Sequence, residues 1–113
     1  MKEIVIAFDV DGTLLNNEGI EPETPPHQRA PTSVNLEVIL LMQLLAKHMK
    51  NTRIIVWSGG GKEYAEQIVR RYGLEKYVDR CYDKMACEED VDIAFDDQHS
   101  FSLAKLNIIV KMK

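Results

Sequence analysis

At 113 residues the chain is long enough for one compact core and too short for two ordinary domains. Eighteen Asp and Glu against 14 Lys and Arg leave a formal charge of −4, which argues against broad affinity for nucleic acid, where basic contacts to phosphate dominate. The longest apolar stretch, residues 38–42 extended through Leu44 and Leu45, is interrupted by Gln43 and Lys47 and falls well short of the roughly 20 residues a membrane span needs, so no membrane partner is expected.

The chain opens MKEIVIAF, an apolar run about half the length of a signal-peptide core, followed by acidic residues and no small-residue cleavage site. A cytoplasmic location is expected. Residues 3–8, EIVIAF, are rich in β-branched side chains and predict a strand buried on both faces. Residues 14–33 carry Pro22, Pro25, Pro26 and Pro31 with almost no apolar periodicity, and predict a loop.

Over 34–49 the period becomes helical, with Val34, Val38, Leu41, Met42, Leu45 and Met49 on one face, Thr32 or Ser33 placed as cap, and Asn51 closing it. RIIVW at 53–57 predicts a second buried strand. Ser58-Gly59-Gly60-Gly61 then turns into a second helix with Tyr64, Ala65, Ile68, Val69 and Tyr72 inward and Gly73 as its stop. Residues 77–82 predict a short third strand, 91–95 a fourth ending on Asp96-Asp97, and 107–111 a fifth.

Strands alternating with helices in so short a chain imply a parallel sheet with right-handed crossovers and helices over its faces. The expected class is α/β, a single-domain Rossmann-like three-layer sandwich with about five parallel strands. Cys81 and Cys87 lie six apart with no CxxC pattern or nearby pair of histidines, and are expected to be ordinary thiols. His27, His48 and His99 have no ligand spacing and are expected on the surface, although His99 follows the acidic pair closely.

In parallel sheets ligands bind beyond the carboxyl ends of the strands. The predicted ends carry Asp9 and Asp11, then Ser58 with three glycines, then Lys84, then Asp96 and Asp97. Taken singly, Asp11-Gly12 is ordinary turn chemistry and the glycine run a flexible turn. Together they fit a phosphate ester. Carboxylates held close repel unless a cation lies between them, and an all-oxygen site suits Mg²⁺. Ser58 and the backbone N–H groups of Gly59, Gly60 and Gly61 at a helix start offer donors to phosphate. Lys84 would balance negative charge. One Asp of a DxD pair can attack phosphorus while its neighbour moves the proton.

These residues resemble the haloacid dehalogenase (HAD) superfamily in its phosphatase form. DVDGT at 9–13 follows an apolar strand, as the DxDGT signature of that family does. WSGGG at 57–61 is similar to its second motif, Lys84 to its third, and FDDQ at 95–98 to the acidic-pair form of its fourth. The resemblance implies Asp9 as nucleophile, Asp11 as general acid and base, and Ser58 as phosphate ligand. It also implies Mg²⁺ held by the Asp9 carboxylate, the Asp11 carbonyl and the Asp96-Asp97 pair, without saying which of the two touches the metal. The presence of Asp11 favours phosphoryl transfer over carbon–halogen cleavage.

Many members of that family carry a cap domain after the first motif or the third strand. Here residues 14–33 and the 11 residues between Lys84 and Asp96 are too short for one, so a capless, open site is expected. Such a site suits a phosphorylated macromolecule, with nucleic acid left open, or is closed by a second subunit. Leu36, Leu40 and Leu44 repeat on the side of the first helix opposite its core face, which predicts a homo-oligomer contact there. Beside a phosphomonoester hydrolase, the sequence leaves open an end-processing phosphatase or phosphotransferase for nucleic acid, and a binding or regulatory module with little catalysis.

Overall fold

A computed structural model describes residues 2–16, 33–97 and 103–111. Strand β1 spans Ile4–Asp9, helix α1 Leu36–His48, β2 Thr52–Ser58, α2 Lys62–Arg71, β3 Arg80–Asp83, β4 Val91–Asp96 and β5 Ala104–Ile109. The five strands form one sheet in the order β3-β2-β1-β4-β5, and every neighbouring pair is parallel. The chain is therefore an α/β protein with a Rossmann-like parallel sheet. No described helix is long and apolar enough to cross a membrane.

Alternation along the strands splits the core in two. Ile6 and Phe8 of β1, Ile54 and Val56 of β2 and Phe95 of β4 face α1 and α2, meeting Val38, Ile39, Met42, Tyr64, Ala65, Ile68 and Val69. Val5 and Ala7, Ile55 and Trp57, and Ala94 form a smaller cluster on the opposite face, joined by Val91 from the first position of β4, out of alternation, against Tyr82, Cys87 and Ala104. Both described helices thus supply the layer over one face. On the other, the crossover from β3 to β4 contributes Cys87. That crossover is pinned by Glu89, which pairs with Arg53 of β2 and accepts a hydrogen bond from Tyr82 of β3.

Boundaries differ from the sequence reading by more than one residue in four places. The first helix begins two residues late, because Val34 instead bridges to Leu15 and Asn35 takes the cap position without a side-chain bond. Ser33 is therefore not the cap, and Thr32 lies outside the described residues. Leu14 and Leu15, predicted as loop, are buried at 1% and 3% exposure and tie the motif turn to the core. The third strand is confined to four residues, since 75–77 turn after α2 and only 80–83 pair with β2. The fifth strand starts three residues earlier than predicted. Val91 and Ile93 set its register against Ala104 and Leu106, and a half-exposed edge strand shows no continuous apolar run. Gly73, at φ 66°, ends α2 as expected.

Both cysteines are free thiols. Burial pushes Cys81 up to about 11 and raises Cys87 as well, so neither is activated as a nucleophile. His48 is exposed, whereas the four prolines, His27 and His99 lie outside the described residues.

Candidate functional site

The strand order reverses direction between β1 and β4, the switch point at which open α/β sheets bind ligands. Register fixes what stands there. Phe8 lies opposite Phe95, and their rings stack 4.8 Å apart on the helix side. The next residue on each strand is an aspartate, so Asp9 and Asp96 emerge side by side beyond the small side chains of Ala7 and Ala94. Both are buried, at 6% and 5% exposure. Carboxylate oxygens of Asp9, Asp96 and Asp97 all lie within 4.8 Å of one another.

Lys84 reaches this cluster from the β3–β4 crossover. Its turn is set by Asp83, whose Oδ1 accepts the Met85 N–H at 2.9 Å. The Lys84 ammonium is itself buried, donates to Asp96 Oδ2, and lies 4.0 Å from Asp9 Oδ1. Lys76, the other lysine of this region, instead lies over the Tyr77 ring. Three carboxylates thus face one ammonium. Burial above all, and then the Asp96 carboxylate, push Asp9 well above the usual carboxylate range, while Lys84 pulls it back. Asp97 is pushed up to about 6, first by burial and then by its hydrogen bond with Asp96.

The turn after β1 is closed by Thr13 N–H to Val10 O, Leu15 N–H to Val10 O and Gly12 N–H to Leu15 O, at 3.2, 3.0 and 2.9 Å. Gly12 takes φ 79°, a conformation glycine adopts without a Cβ penalty. Asp11 is not part of the three-carboxylate cluster. Its Oδ1 accepts the Tyr64 hydroxyl at 2.9 Å, from the first turn of α2.

Ser58 ends β2 one residue past Trp57, which lies opposite Asp9, and its side chain is 1% exposed. Its Oγ accepts the Gly60 N–H at 2.9 Å and its carbonyl the Gly61 N–H at 3.1 Å. Two of the predicted glycine donors are therefore engaged within the turn. The Ser58 hydroxyl keeps its own proton to donate.

Sequence reading assigned Tyr64 to the core alone. It is buried at 8%, yet its hydroxyl joins two motifs. A tyrosine among apolar helix positions carries a polar tip that seeks a partner when buried, and that was the available signal.

The donor set suits a hard divalent cation. Three carboxylates converge, two of them buried, and one lysine leaves net negative charge among them. No family model matches the chain, and no curated protein or solved structure matches it. Fold and site together define a Rossmann-like α/β protein with a buried acidic cluster at the carboxyl edge of its sheet.

Proposed function

We propose that the chain is a magnesium-dependent phosphomonoester hydrolase working through an aspartyl phosphate, in the manner of the HAD phosphatases its motifs resemble. The observation that carries this reading is the convergence of Asp9, Asp96 and Asp97 with buried Lys84 at the switch point, directly before a DVDGT turn. Carboxylates spaced merely by chance on a surface would not bury two of their number around a lysine.

The steps follow from the residues. An oxygen of Asp9 attacks phosphorus and the ester P–O bond breaks. The departing oxygen takes the proton of the Asp11 carboxyl. Asp11, now a carboxylate, accepts a proton from a water that attacks the aspartyl phosphate, which releases inorganic phosphate and restores Asp9. The Ser58 hydroxyl donates to a phosphoryl oxygen, and the Lys84 ammonium offsets charge on Asp9 and the phosphoryl group. Mg²⁺ held by Asp9, the Asp11 carbonyl and the Asp96-Asp97 pair would supply further neutralisation of phosphoryl charge.

The test is hydrolysis of para-nitrophenyl phosphate by the purified chain, with and without Mg²⁺, beside Asp9→Asn. Release that needs Mg²⁺ and is lost in the variant is expected. Equal release by both proteins removes Asp9 from the nucleophile role. No release from this ester or from a panel of larger phosphorylated substrates favours the binding-module reading.

A further inference from the structure

The outward side of α1 presents a ridge of Leu36, Leu40 and Leu44, exposed at 67%, 56% and 55%. Beside it runs an open groove of about 620 Å³, lined by Leu40, Leu44, Ala46 and Lys47 of the helix and by Lys76 and Tyr77 after α2. Glu37 in the first turn and Lys47 in the last flank the leucines. Neither is in an ion pair among the described residues.

We propose that this face pairs with the same face of a second copy, antiparallel, about a two-fold axis level with Met42. In that arrangement Leu40 meets Leu44 of the second copy, and the contact repeats by symmetry. Glu37 then falls opposite Lys47 of the second copy, again twice. Leu36 arrives at the Lys47–His48 end of the facing helix, where the groove beside Tyr77 receives it. A parallel pairing would set Glu37 against Glu37 and Lys47 against Lys47. Charge therefore selects the antiparallel form. Three leucines and a groove fall at the small end of specific interfaces, which bury about 800 Å² per partner, so the dimer is reversible and concentration-dependent.

The experiment is sedimentation velocity of the full chain from low to high micromolar concentration. Wild type is expected to shift toward twice the monomer mass. Leu40→Glu, at an exposed position, is expected to stay monomeric with an unchanged circular dichroism spectrum and melting temperature. Glu37→Lys and Lys47→Glu should each weaken association by about tenfold, and the two combined should restore it. A wild-type chain that stays monomeric throughout, a Leu40→Glu variant that dimerises equally well, or a double variant no better than the singles would each overturn the proposal.

Discussion

The Tyr64 hydroxyl donates to Asp11 Oδ1 at 2.9 Å, joining the first turn of α2 to the turn after β1 across 53 residues of chain. The bond fixes the rotamer of the residue proposed to protonate the leaving group. Positioned proton donors contribute about 10²- to 10⁴-fold, and only while they are aligned. Tyr64→Phe should therefore lower kcat about tenfold on an alkyl phosphate, whose poor leaving group needs the proton. On para-nitrophenyl phosphate, whose phenolate leaves unaided, the loss should be slight. Parallel kinetics on the two esters check this, and equal losses on both would point to general distortion of the site instead.

Asp9 is a buried carboxylate beside two others, so removing its charge should relieve the fold as well as stop turnover. Asp9→Asn is expected to melt above wild type in metal-free buffer, by a margin that grows with pH as the Asp9 carboxyl ionises. Thermal unfolding followed by circular dichroism reads it. A variant that melts lower would mean that Lys84 already compensates the Asp9 charge in full.

Much of this site was legible because strand ends are short and chemically explicit. An apolar run followed by Asp-x-Asp, and another followed by Asp-Asp, locate two strand termini and their carboxylates without any tertiary information. The order of strands was not legible in this way, since right-handed crossovers narrow the arrangements without selecting β3-β2-β1-β4-β5. Other features were hidden in the sequence for physical reasons. The edge strand β5 alternates lysine, leucine and asparagine, because it is covered incompletely, and so lacks the run that marks a central strand. The partners of Asp11 and Lys84 depend on tertiary approach, with Tyr64 coming from a helix face and Asp96 from another strand end, while Asp83 caps a three-residue turn that no periodicity announces. Leu14 and Leu15 sit beside a proline-rich stretch, and only the bridges of Leu15 to Asp11 and Val34, with the Asn35 N–H bond to the Leu14 carbonyl, reveal them as core.

Lys84 is the one cation described within the acidic cluster, buried at 7% exposure and bonded to Asp96. Lys84→Met keeps the aliphatic volume and leaves the buried carboxylates unpaired. Breaking one side of a buried ion pair costs about 3–5 kcal/mol, so the metal-free variant should unfold at markedly lower urea. Saturating Mg²⁺ should recover part of that loss, because a divalent ion supplies the missing charge. Urea titrations with and without Mg²⁺ test the point. A variant as stable as wild type would show that the cluster is neutralised by protons rather than by the lysine.

Protons and the metal compete for the same oxygens, which sets the sign of the pH dependence. Asp97 titrates at about 6 in the fold against 3.8 when unperturbed, and Asp9 is raised as well. Over that window the folded chain holds protons that the unfolded chain has released. The stability that Asp97 contributes is complete below 3.8 and is lost as pH rises through about 6, and the contribution of Asp9 has the same sign. The metal-free protein should therefore lose stability as pH rises from about 4 to about 6.5, as far as Asp97 governs it. Mg²⁺ binds the deprotonated form, so the rise in melting temperature that it produces should be small at the acidic end and large at the neutral end. Differential scanning fluorimetry with and without Mg²⁺ across this range measures the difference. A shift independent of pH, or larger in acid, would place the ion away from Asp9 and Asp97.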